Sequence, residues 1–263
     1  MTELIYFLCC VSSRLRASNK HTKEFQMKLR FFVAGIALVF GSLAHAERVS
    51  LNPYVTHAYE FDPNENPTQK YWCGHTALKM VTRWINKDKP VPTLSDIHSV
   101  FLTNSPGQYA MNRCPGGGIN GNGWCASLYD ILTAAKKNYN MPSAANVTVP
   151  KVTATGAPNH AGFLAKIQDA ILNRNSPIVT FANWDLGKPG NMGTTNPIGH
   201  AYVIVGYNTD GATNPGDAYV FVRDSSQAYQ SGPEMDDWWK VRDFMIMMER
   251  YSQSTYFELV VFR

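Results

Sequence analysis

Apolar residues along this chain change their spacing twice. From Phe31 to Leu43 they form one nearly continuous run, and between Cys73 and Arg174 they recur at helical intervals. After Pro177 they gather into short β-branched and aromatic runs. Residues 47–70 carry Pro53, Pro63 and Pro67 among polar side chains and read as an irregular arm.

Ala77, Leu78, Val81, Trp84 and Ile85 share one helical face, so a helix is expected from Cys73, with Lys79, Arg83 and Lys87 on its other faces. Pro90 and Pro92 end it. A shorter helix is expected from Ser95, as its cap, to about Leu102. Two more are expected over roughly Ala126 to Tyr139 and His160 to Arg174. The stretch 104–123, with Gly116-Gly117-Gly118 and Gly121-Asn122-Gly123, reads as a long loop, a feature that is commonly functional in a compact domain.

Strands are expected at Ile178 to Ala182, His200 to Tyr207, Ala218 to Asp224 and Tyr256 to Phe262. The stretch around Trp238 and Trp239 is mixed and expected to be partly helical. Helices first and antiparallel strands after is an α+β arrangement.

The first apolar run changes how the charge is read. Lys28 and Arg30 precede it and Ala44-His45-Ala46 follows it, the order of a secretory signal peptide over 27–46 with cleavage after Ala46. The run has 13 residues, fewer than the roughly 20 a membrane helix needs. Residues 1–26 form an upstream extension, and Met27 is the expected true start. Of the 24 basic and 20 acidic residues, six and two fall within 1–46, leaving 18 of each in residues 47–263. The exported product is then formally neutral, and the basic balance of the whole chain gives no ground for a nucleic-acid partner. Residues 47–263 suit a single domain with a substantial core. The expected location is the periplasm or the extracellular space, with no membrane span in the mature form.

Signal removal leaves three cysteines, Cys73, Cys114 and Cys125. An odd number in an oxidising compartment points to one free thiol. Cys114 and Cys125 bracket the Gly/Asn-rich loop and could close it as a disulfide, leaving Cys73 free. A zinc site is the competing use, but an 11-residue offset is unlike the usual ligand hook of about two to four residues.

Cys73 stands at a helix start, where unsatisfied N–H groups and the helix dipole favour a thiolate, and Gly74 leaves room for a substrate carbonyl. Its bland alternative is a buried structural cysteine. His75 is close in sequence but about 200° around the helix, and nothing singles out His57, His98 or His160. His200 differs, since it opens a strongly apolar strand where a polar ring is costly without a partner. If the turn Asn208 to Gly216 is symmetric about Ala212, His200 and Asp224 stand directly opposite one another. A carboxylate there orients one imidazole nitrogen while the other faces a thiol. Alone, His200 would be an ordinary hydrogen-bonded strand-end histidine and Asp224 a solvated strand end.

Trp72-Cys73-Gly74 opening a helix, Gly199-His200 opening a strand and Asp224 ending the next one resemble papain-fold cysteine peptidases of the bacteriocin-leader-processing type. The resemblance covers about Gln69 to Phe262. It implies Cys73 as nucleophile, His200 as general base and acid, and Asp224 as its orienter. It also implies a glutamine before the cysteine that stabilises the oxyanion, here Gln69, four positions upstream. His75 stands where the family commonly has proline, and so does Ser225.

The chemistry so implied is hydrolysis of a peptide or protein substrate, with no metal or organic cofactor required. The same triad also supports acyl transfer of the transglutaminase-like kind. A secreted, non-catalytic binding module using the Trp- and Gly-rich loops is the third reading.

Overall fold

Among the described residues, seven antiparallel strands form one sheet, in the order β2-β7-β3-β4-β5-β6, with β1 added against β4. They are β1 (Arg48–Ser50), β2 (Ala145–Pro150), β3 (Ile178–Asn183), β4 (Gly199–Asn208), β5 (Tyr219–Asp224), β6 (Asp237–Lys240) and β7 (Tyr256–Val261). Among the described residues there are five α-helices: α1 (Cys73–Ile85), α2 (Leu94–Asn104), α3 (Leu128–Asn138), α4 (His160–Gln168) and α5 (Val241–Tyr251). This computed structural model describes residues 47–51, 55, 58, 64–65, 72–87, 89–104, 126–183, 199–224, 237–251 and 254–262. The compact unit runs from Ala46 to Arg263.

The α+β class expected from the chain is the one observed, and the differences are local. The arm contributes a strand, β1, and β2 precedes the later strands, so helices and strands are less segregated than expected. β2 is a six-residue edge strand in which Ala145, Val147 and Val149 alternate with Asn146 and Thr148, a period-two signal that the sequence reading passed over. Trp238 and Trp239 lie on β6, and the helix begins only at Val241. The helix from His160 keeps α geometry to Gln168 and continues as a π-helical turn, Asp169–Asn173.

Caps explain where helices start. Thr93 and Asp96 exchange bonds ahead of α2: Asp96 N–H donates to Thr93 Oγ1 at 3.1 Å and Thr93 N–H to Asp96 Oδ2 at 2.9 Å. Thr93, rather than Ser95, is therefore the capping residue. Ser127 and Asp130 make the same reciprocal pair at α3.

Helix α1 is buried on nearly every face, from Cys73 through Thr82 and again at Trp84. Lys79, expected on an outer face, is among the buried residues and pairs with Glu65 of the arm. Glu65 also accepts the first N–H of α2, from Leu94, at 3.1 Å. One carboxylate thus ties the arm to two helices, and a buried lysine is tolerable because it is paired.

Helix α1 packs against β4, the central strand, whose residues His200 to Tyr207 are all buried. A strand covered on both faces reads as a continuous apolar run, as it does here.

Candidate active site

Cys73 is the first residue of α1 and is buried. No side chain caps this helix start, where Trp72 holds the cap position. The first turn of α1 sets the positive end of the helix dipole at the thiol. Gly74 also answers a packing constraint. A Cβ there would lie 2.8 Å from Ala126 Cβ, so glycine allows α1 to pack against the residues leading into α3.

His200, the second residue of β4, donates from Nε2 to Asp224 Oδ1 at 2.6 Å, and both side chains are buried. Cys73 lies near enough to the same ring to favour its charged form. Burial works against a charge on His200, but the Asp224 carboxylate and, after it, the Cys73 thiol outweigh burial. The net result is an imidazole pKa well above its ordinary value.

The pairing of His200 with Asp224 is diagonal, not direct. Asp224 stands opposite Tyr202, two positions further along β4 than symmetry predicted. The connection is not symmetric about Ala212, because it contains a 3₁₀ turn, Pro215–Asp217, capped by Asn214. A bulge between Ile204 and Gly206 adds a second shift. Diagonal neighbours on one face still lie within side-chain reach.

Tyr202, which the sequence reading passed over, belongs to this cluster. It lies two residues from His200 and so on the same face, with the rings edge to face at 4.8 Å. Its phenol pKa is pushed well above the usual range by burial, with Asp224 and Cys73 adding to the effect. The period-two relation to His200 was the available signal.

His75 turns away to α2. Its Nε2 is 3.3 Å from His98 Nδ1, its ring stacks on Trp72 at 5.0 Å, and Phe101 meets it edge on at 4.8 Å. Burial, and then His98, holds its pKa well below the ordinary imidazole value, so it is a neutral packing histidine. His160 sits at the start of α4, beside Arg242 and Asp217. Gln69, His57, Cys114, Cys125 and Ser225 lie outside the described residues. Among the described residues no cluster of three or more metal-ligating side chains occurs.

Of the sequence candidates, Cys73, His200 and Asp224 are brought together. The model of the Peptidase C39-like family matches residues 54–255. The chain belongs to that family. This membership supports a cysteine peptidase, and a peptidase implies peptide substrates. A solved structure from Bacillus anthracis, described as a C39-like peptidase, is similar to this family member at 14% identity and a TM-score of 0.46, over 82% of this chain and 98% of its own. Among curated proteins none matches.

Proposed function

We propose that this protein is an exported cysteine peptidase that hydrolyses peptide bonds with Cys73 as nucleophile, His200 as acid and base, and Asp224 as the group that orients His200. The observation that carries the reading is the buried 2.6 Å bond from His200 Nε2 to Asp224, on a ring whose charged form the nearby Cys73 also favours.

Asp224 fixes Nε2 as a donor and leaves Nδ1 for sulfur and substrate. The thiol proton passes to Nδ1, and sulfur attacks the scissile carbonyl carbon. Negative charge builds on the carbonyl oxygen, beside the N–H groups that begin α1. Gln69 is proposed as a further donor to that oxygen. The imidazolium gives its proton to the leaving amine as the C–N bond breaks, which leaves a thioester on Cys73. Water, deprotonated by His200, then attacks the thioester, releases the acid and returns the proton to sulfur.

The test is proteome-wide mapping of new peptide termini made by the wild-type protein and by Cys73→Ala. Wild type should generate termini that the variant does not. Identical maps would remove the peptidase reading, and amine-linked adducts in place of new carboxyl termini would move it to acyl transfer.

A further inference from the structure

Strand β4 carries His200, and it departs from regular pairing at one place. On the turn side, Asn208, Tyr207 and Gly206 stand opposite Tyr219, Val220 and Phe221. On the site side, Ile204, Val203 and Tyr202 stand opposite Val222, Arg223 and Asp224. Val205 is the extra residue between the two registers. If the turn-side register continued, Asp224 would stand opposite Val203. Its carboxylate would then lie on the face away from His200, because side chains alternate with a period of two. The bulge therefore decides whether the two can meet.

A bulge disrupts its ladder and needs support from elsewhere. Here the support comes from β1, on the edge of β4 away from β5. Leu51 N–H donates to the carbonyl of Val205 at 2.7 Å, and the Ser50 hydroxyl lies 3.5 Å from the same oxygen. Ser50 pairs with Gly206, Val49 with Tyr207 and Arg48 with Asn208. The approach is so close that a Cβ at Gly206 would lie 2.7 Å from Val49 O and 3.0 Å from Ser50 Cα.

The start of the strand is pinned as well. Tyr207, fully buried, donates its hydroxyl to the Glu47 carboxylate at 2.6 Å. Thr209 N–H donates to Glu47 O at 2.8 Å, and Glu47 N–H donates to Thr209 Oγ1 at 3.1 Å. Five consecutive residues, 47–51, thus bind the two bulge residues and the turn of strand beyond them.

We infer that Glu47 to Leu51 are positioning residues for the reactive pair: they hold the Val205–Gly206 bulge, and the bulge holds Asp224 on the face of His200. This rests on the reading of Cys73, His200 and Asp224 as catalytic. The strand touches no reacting atom and acts only through the register of β4 on β5.

The full chain, Gly206→Ala, Tyr207→Phe and Asp224→Asn are compared by three measurements: thermal melting, the pH profile of Cys73 alkylation by iodoacetamide, and the downfield proton resonance of the His200–Asp224 bond. Gly206→Ala should lose or broaden that resonance and move the alkylation profile towards that of Asp224→Asn. Its rate at pH 6 should fall about tenfold, the order expected when a reactive pair is misplaced by a fraction of an ångström. Tyr207→Phe, which removes one hydroxyl and folds under milder demands, should change both signals in the same direction by a few-fold. Variants that melt lower yet keep the wild-type resonance and profile would reduce β1 to a structural strand and overturn the inference. Wild type giving the same profile as Asp224→Asn would overturn the catalytic reading along with it, so the two failures are distinguishable.

Discussion

At His200 two influences oppose each other, and their sum has consequences for pH. Burial disfavours the imidazolium, while Asp224 and Cys73 favour it and prevail, so the folded pKa stands well above the unfolded value near 6.5. A raised histidine pKa stabilises the fold fully below the unfolded value, and the contribution is lost as pH rises through the folded one. Asp224→Asn removes the main stabilising influence on the charge. It should cost about 2 kcal/mol in urea unfolding near pH 6, the order of a hydrogen bond to a charged group. The deficit should shrink as pH rises above neutrality. A deficit that grows with pH would show that His200 is buried neutral. The three residues were legible because each is a reactive or polar group at the edge of an apolar element. The diagonal geometry was not, since the 3₁₀ turn and the bulge at Val205 leave no mark in hydropathy. A symmetric hairpin gave the right partner because the true displacement is an even number of residues. The His75–His98 contact was hidden for another reason: it joins two helices whose packing the sequence does not state.

Between elements, the buried Lys79 and its partner Glu65 tie the arm to α1. Lys79 is almost wholly buried and Glu65 is partly exposed, so removing either does unequal harm. Glu65→Ala strands an ammonium in the core and leaves the Leu94 N–H at the start of α2 without this acceptor. About 3 kcal/mol should be lost in urea unfolding, at the low end for a broken buried pair. Adding Lys79→Met should restore most of that, because the charge needing a partner is gone. If the double variant is no better than the single one, the Leu94 cap is the larger part of Glu65's role. Lys79 shows why helical periodicity misassigned this face. An amphipathic reading assumes one solvated side, and α1 has nearly none. Capping was read more nearly: Thr93 precedes the expected Ser95 by two residues, and its bond with Asp96 has the spacing of a capping box. Thr93→Ala should cost about 1 kcal/mol, measured in the same titration.

For the whole molecule, the proposed export and the fold meet at Glu47. Among the described residues no helix is long and apolar enough to cross a membrane. The signal pattern ends at Ala46, and the next residue has both its backbone groups engaged by Thr209 and its carboxylate by Tyr207. A peptidase that cleaves before Glu47 needs an extended, accessible chain there, which docked β1 does not offer. If the proposed export holds, cleavage precedes the closing of β1 on β4, while the chain is still unfolded. On that proposal the Ala46–Glu47 bond would take up one water, and the amide that donates to Thr209 Oγ1 would become an ammonium with donors to spare. The exported product should begin at Glu47, by N-terminal sequencing and intact mass. Ala46→Phe should block processing without changing Cys73, because a small residue is required at that position. A product that keeps Met1 or Met27 would end the export reading. A product that begins within β1 would break the Glu47 latch, and its alkylation profile should then match that of Gly206→Ala.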